Sequence, residues 1–330
     1  MTRRFWGALP ALLLAAGGAV LGVNAAHAAS IADATCSTTT GAPPIQTVAP
    51  VTVRPLCVQG QTLTFDQDGV TRYACLNLPQ AARQRPGGHK WPLLVYLHGS
   101  LTTPDSLYTL DKNLFDLHDT YPLSGDPSVQ GFLLLSPEGR IATPYAADTF
   151  ETGTGFHWDE WYRDATQNLD ALAIDHFLDA AVATGRVDAS RIYLFGWSNG
   201  AYMAALYGNW RSDRIAAIGQ YAGADPWSRQ PCPVADQVTR QVPLVLLRNL
   251  CDAAVTCSTT SSWIDTLDGL DWPFQPYNLG LQGRIVSPHQ SCDASCTELQ
   301  GIYEHVRWPN RTALQSMLDF LRKHPLPAGS

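Results

Sequence analysis

The chain has 330 residues, 45% hydrophobic and 15% charged, a balance that buries a large core and excludes an intrinsically disordered protein. Its formal net charge is −7 and no run of Lys or Arg tracks along it, which argues against a nucleic-acid partner.

In chain order, Arg3 and Arg4 precede an apolar stretch from Phe5 to Val23, and Ala26-His27-Ala28 supplies small residues at the spacing a signal peptidase reads. Residues 1–28 therefore read as a cleaved signal peptide. A stable membrane anchor is the competing reading, but Gly17, Gly18 and Gly22 interrupt the apolar run and favour removal. The arginine pair leaves Sec and twin-arginine export both open. Residues 29–55, rich in Thr, Pro and Ala, predict a loosely ordered lead-in, and residues 56–330 a single folded domain.

Within that domain Pro92–Leu97 and Gly131–Leu135 are short continuous apolar runs, the pattern of strands buried on both faces of a parallel sheet. Leu169, Leu172, Ala173, His176, Phe177 and Ala180 recur at helical spacing, ahead of a strand at Arg191–Phe195. A helix is expected from about Ala201 to Gly208, a strand at Val242–Leu247, a last strand at Thr297–Tyr303 and a closing amphipathic helix at Arg311–Lys323. Alternating strands and helices of this kind predict an α/β fold, a mostly parallel central sheet with helices on both faces.

Eight cysteines lie beyond residue 28, an even count that in an exported chain reads as disulfides. Short separations favour Cys251 with Cys257, Cys292 with Cys296, and Cys57 with Cys75. A zinc site is disfavoured because no C-x-x-C pair or Cys/His cluster has ligand spacing.

Ser198 lies in Gly196-Trp197-Ser198-Asn199-Gly200, where a strand-like run turns into a helix-like one. Such a turn at the carboxyl end of a strand holds a serine in a strained conformation, pushes its hydroxyl outward and needs small residues two before and two after it. A serine hydroxyl is a weak nucleophile and needs a base with an orienting acid, which in this fold follow in the order serine, acid, histidine. His305 falls between the expected last strand and the closing helix; His289 is the alternative base, while His324 ends the closing helix. Asp252 follows the strand at Val242–Leu247, with Asp225, Asp265, Asp268 and Asp271 as competitors. The Asn199 N–H is one expected donor to a tetrahedral oxyanion. The loop Leu97-His98-Gly99-Ser100 supplies the other through the Ser100 N–H, with His98 shaping the loop.

These segments resemble the secreted α/β-hydrolase esterases related to polyhydroxybutyrate depolymerases, which include feruloyl and acetylxylan esterases. The resemblance runs from about Pro92 to Leu321. It rests on Pro92–Ser100, Pro137-Glu138-Gly139, Val187–Tyr193 leading into Gly196–Gly200, Asp252–Val255, and His305 followed by Trp308-Pro309. It implies an α/β-hydrolase fold, a triad of Ser198, Asp252 and His305, and oxyanion donors at Ser100 and Asn199. Trp197 and Trp308 are the expected substrate-contacting residues. The chain departs from the family at Arg248-Asn249, where His-Gly is usual before the acid, and by one extra residue between His305 and Trp308.

Phe156–Tyr162 is an aromatic cluster that fits either a cleft wall or core packing. Asn310-Arg311-Thr312 matches a glycosylation acceptor, but an Asn just before a helix reads better as a cap. No phosphate loop, dinucleotide fingerprint or H-E-x-x-H occurs, so no cofactor is implied. The expectation is a secreted serine esterase, extracellular or periplasmic, acting on small or polymeric esters through an acyl-enzyme, without metal. Its activity should rise as an imidazole loses its proton, near pH 6.5 for the free side chain. The absence of an appended polymer-binding domain tilts this toward short or soluble esters. A serine peptidase and a non-catalytic polymer-binding protein on the same scaffold are the alternatives, and oligomeric state is left open.

Overall fold

The structure, a computed structural model, describes residues 36–48, 53–84, 89–110, 112–145, 153–230, 232–233, 238–292 and 296–327. The segment read as a signal peptide lies outside them. The elements in chain order are β1 (Gln61–Gln67), β2 (Val70–Asn77), α1 (Gln80–Gln84), β3 (Trp91–Leu97), α2 (Ser106–Thr109), α3 (Asn113–Thr120), β4 (Leu133–Pro137), β5 (Arg140–Ala142), β6 (Gly155–His157) and α4 (Leu169–Ala183). They continue with β7 (Val187–Trp197), α5 (Asn199–Trp210), β8 (Ala217–Tyr221), β9 (Leu244–Asn249), α6 (Cys257–Gly269), β10 (Phe274–Gly280), β11 (Arg284–Ile285), α7 (Glu298–Val306) and α8 (Arg311–Arg322).

One sheet of nine strands runs in the order β1-β2-β4-β3-β7-β8-β9-β10-β11. Its centre, from β4 through β10, is parallel, and antiparallel strands close both ends. The continuous apolar runs make sense here, because successive side chains point to opposite faces and both faces are covered. On β3, Leu94 and Tyr96 pack with Leu114 and Leu117 of α3 and Leu314, Met317 and Leu318 of α8. Leu93, Val95 and Leu97 point the other way, into Ile174, Phe177 and Leu178 of α4 and Met203 and Tyr207 of α5. On β9, Leu244 and Leu246 pack against Trp263 and Leu267 of α6.

Several helices start where their side chains cap them. Asn168 accepts from Asp170 N and Ala171 N, Thr256 from Thr259 N, and Asn310 from Ala313 N, so Asn310 serves α8 as its cap.

Two expectations are corrected. The segment expected as the last strand, Thr297–Tyr303, is instead the start of α7, capped by the Thr297 side chain at Gln300 N. The last parallel strand is β10, obscured in sequence by Pro276. β11 pairs with β10 only at Leu279 and Gly280, so Pro276 sits where no ladder bond on that side is needed. The lead-in is packed, not loose, over residues 36–48: Ala42 and Ile45 are buried, and Ile45 N–H donates to Asp159 Oδ2 at 2.8 Å.

The disulfides are Cys36–Cys232, Cys57–Cys75, Cys251–Cys296 and Cys257–Cys292. Only Cys57–Cys75 follows the short-separation rule. Cys251–Cys296 and Cys257–Cys292 span 45 and 35 residues, because the sheet delivers the turn after β9 and the start of α6 against the segment entering α7. Longer loops also restrict the unfolded chain more when closed.

Candidate active site

Ser198 stands between the central strand β7 and α5, at the helix's N-cap position, with φ 54° and ψ −124°, a conformation that side chains rarely adopt and that only a rigid surround maintains. Its N–H is tied to Tyr221 O at 2.9 Å. The flanking glycines are required by close approach: a Cβ at Gly196 would lie 2.1 Å from Gly200 O, and one at Gly200 would lie 2.2 Å from Leu97 O. The strand–helix turn therefore presses into the end of β3, as the G-x-S-x-G spacing implies.

The structure brings Ser198, His305 and Asp252 together. The serine hydroxyl donates to His305 Nε2 at 3.0 Å, and His305 Nδ1–H donates to Asp252 at 2.8 Å to Oδ2 and 3.0 Å to Oδ1. Asp252 Oδ1 also accepts the N–H groups of Ala254 and Val255, each at 2.8 Å, which orients the carboxylate. His305 sits in the last turn of α7 rather than on a loop, and Trp197 Nε1–H donates to its carbonyl at 3.1 Å.

The alternatives lie elsewhere. Asp225 caps a short 3-10 turn at Pro226–Ser228 through Trp227 N, and His289 is exposed in the segment after β11. His324 bonds to Phe320 O beyond α8, while Asp265 and Asp268 ride on α6 and Asp271 follows it.

Around the serine, two loops form the environment of the expected oxyanion donors. Asn199 is the first residue of α5, so its N–H is one of the four without an intrahelical partner. The Asn199 side chain is gripped from β6's downstream segment: Oδ1 accepts Trp158 N–H at 2.7 Å, and Nδ2 donates to Trp158 O and Glu160 Oε2, both at 3.1 Å. On the other side, Gly99 packs so close to Trp197 and Ser198 that a Cβ there would lie 3.0 and 3.3 Å from them. The Gly99 carbonyl accepts from His98 Nδ1 at 2.9 Å and from the Thr102 hydroxyl at 2.8 Å. A trans peptide is planar, so fixing that carbonyl also fixes the opposite direction of the Ser100 N–H.

This arrangement needs one tautomer of His98. Its Nε2 accepts Gly139 N–H at 2.9 Å, which leaves the proton on Nδ1. Burial pushes the imidazole down to about 4, so the neutral ring persists through ordinary pH. His157, also pushed down by burial, places Nε2 against Gly153 O and accepts the Ser100 hydroxyl at Nδ1, so the Ser100 side chain is already engaged.

Trp197 and Trp308, expected against substrate, are only 3% and 5% exposed. They pack on each other and cluster with Tyr96 and Phe195 beneath the triad. The aromatic cluster Phe156–Tyr162 likewise resolves toward packing, with Trp158 and Trp161 buried and their indole N–H groups bonded to His98 O and Gln230 O.

Beneath that cluster runs a buried ionic network. Asp170 accepts from Arg72 at 2.8 Å and Arg140 at 3.1 Å, and its second oxygen accepts Asp159 N–H at 2.8 Å. Burial opposes the Asp170 charge, but Arg140 and Arg72 outweigh it and hold the carboxyl below its usual range. The network was not legible in sequence, since its members are scattered from residue 72 to residue 170.

No family model matches the chain, and no curated protein matches it in sequence. Solved structures do resemble it. A ferulic acid esterase superposes with a TM-score of 0.53 at 16% identity, covering 80% of this chain and 97% of that one. An S-formylglutathione hydrolase from Staphylococcus aureus, as apoenzyme, gives 0.50 at 12% identity, covering 80% and 98%. A thermostable esterase gives 0.49 at 16% identity, and the chain spans 64% of that protein, just under two thirds of its length. At such identities the likeness is one of architecture: together with the sheet order and its parallel centre, it assigns this chain the α/β-hydrolase fold.

Proposed function

We propose that the protein is a serine carboxylic ester hydrolase. The observation that carries the reading is the continuous hydrogen-bond relay from Ser198 Oγ through His305 to Asp252, built on the strained turn at the carboxyl edge of the sheet. In this reading His305 Nε2 takes the hydroxyl proton as Ser198 attacks the ester carbonyl, and Asp252 steadies the imidazolium that results. The Asn199 and Ser100 N–H groups receive the oxyanion, His305 returns the proton to the leaving alcohol, and water releases the acyl group by the same steps.

The fold likeness to a ferulic acid esterase, and the resemblance of the serine, acid and histidine segments to esterases related to polyhydroxybutyrate depolymerases, support a finer reading within that esterase group. Four disulfides, together with the signal-like N-terminus, support export to an oxidising compartment. No helix among the described residues is long and apolar enough to cross a membrane.

The test is a panel of p-nitrophenyl acetate and butyrate, methyl ferulate, a polyhydroxybutyrate film and a peptide p-nitroanilide, read with the protein and with Ser198→Ala. Turnover of at least one ester, reduced about 10³-fold or more by Ser198→Ala, is expected. Turnover of the amide but of no ester would replace the reading with a peptidase, and no turnover at all would remove it.

A further inference from the structure

The acid and the base of the proposed triad lie 53 residues apart in sequence, on a turn after β9 and on α7, and their mutual geometry has to be set by something other than the Asp252–His305 bond itself. A side chain at the end of β9 touches both segments. Asn249, the last residue of β9 and 1% exposed, accepts Cys251 N–H at Oδ1 at 2.9 Å, which shapes the turn that delivers Asp252. Its Nδ2 donates to Glu304 Oε2 at 3.1 Å, and Glu304 is the residue before His305. The other Glu304 oxygen accepts Arg307 Nε at 3.1 Å, and the Tyr221 hydroxyl donates to the Glu304 and Arg307 carbonyls.

The two segments lie unusually close. Ala253 N–H donates to Gly301 O at 3.3 Å, and a Cβ at Gly301 would lie 2.6 Å from Ala253 Cβ and 2.9 Å from Cys251 O. Cys251–Cys296 ties the same turn to the residue before the α7 cap. A disulfide and a close approach hold the pieces together, and the amide–carboxylate pair adds a directional side-chain contact beside the Asp252–His305 bond.

We infer that Asn249 and Glu304 are a positioning pair that registers the turn bearing Asp252 on the helix bearing His305. The inference rests on the esterase reading above. Neither residue reaches the reacting atoms; each acts through its neighbour. The link is made by the Asn249 side chain.

The pair can be exchanged end for end. Asn249→Asp sets two carboxylates against each other, while Glu304→Gln sets two amides together and leaves too few acceptors for Asn249 and Arg307. With both changes an amide at 304 donates to a carboxylate at 249, and the bonds from Cys251 N–H and Arg307 Nε still find acceptors. The experiment measures kcat, KM and the thermal midpoint for these three variants beside the unaltered protein and Ser198→Ala, on whichever p-nitrophenyl ester is turned over.

Each single change is expected to lower kcat roughly 10- to 100-fold, with KM within about twofold. The double variant is expected to return to within about threefold of the original kcat, a recovery that a merely structural role would not yield without a parallel recovery in thermal midpoint. Unchanged kcat in the folded single variants, or a folded double variant no better than the singles, overturns the inference. If one single variant fails to fold, the other single against the double carries the same comparison. Ser198→Ala separates the two layers: its full activity would sink the esterase reading, whereas its inactivity beside unimpaired pair variants would sink this inference alone.

Discussion

Asp252→Asn is expected to lower kcat by about four orders of magnitude, equivalent to about 5 kcal/mol of transition-state stabilisation, with little change in KM. The carboxylate accepts His305 Nδ1–H, which leaves Nε2 free to accept the serine proton. The backbone N–H groups of Ala254 and Val255 already bind Oδ1, so an asparagine there would keep its oxygen on them and turn its amide donors toward the ring. Nδ1 would then have to accept, the proton would move to Nε2, and Ser198 would lose its base. Steady-state kinetics on the best ester of the panel, with circular dichroism to verify folding, measure the effect. A loss below tenfold would mean that Asp252 does not set the tautomer.

The largest expected loss of stability follows removal of Asp170. Asp170→Ala is expected to cost about 3–5 kcal/mol, because it strips the shared carboxylate from two buried arginines, taking the ion-pair partner from Arg72 and leaving Arg140 only its 3.5 Å pair with Asp159. For a chain of this size that lowers the melting temperature by roughly 10 °C. Asp179→Ala is the matched control, since its pair with Arg214 is exposed and should be worth about 1 kcal/mol or less. Calorimetric or dichroic melts compare the two. Equal shifts would show that the buried network contributes no more than a surface pair. Asp170 also holds Asp159, between the Trp158 and Glu160 contacts that grip Asn199, so catalytic loss should accompany the loss of stability.

What could be read from the sequence was what is local. The apolar runs of β3, β4 and β9 have to be buried on both faces, which specifies a covered parallel sheet. The Gly-Trp-Ser-Asn-Gly turn states its own steric requirement, and residues 196 and 200 meet backbone where the spacing says they should. His305 was reachable through chain order alone, and its element was mistaken. Leu299, Tyr303 and Val306 lie four and three residues apart on the exposed face of α7, a helical period that runs past the end of the segment Thr297–Tyr303 taken for a strand.

The illegible remainder is tertiary. Nothing in residue spacing pairs Cys251 with Cys296, since the partner depends on where two strand ends deliver the chain. The same holds for His98 with Gly139, Asn199 with Glu160, and Asn249 with Glu304, each a contact between segments 39 to 55 residues apart. These contacts fix tautomers and loop directions, so the part of the site hidden from sequence is the part that orients the visible residues.

The most direct measurement is covalent capture of the nucleophile. The protein is treated with a fluorophosphonate that reacts with activated serines, digested and mapped by mass spectrometry. One equivalent of label is expected on the peptide containing Ser198, rising in step with loss of ester turnover, and absent in Ser198→Ala and strongly slowed in His305→Gln. Full ester turnover with Ser198 unlabelled, or labelling of Ser198 that leaves turnover intact, would contradict the account.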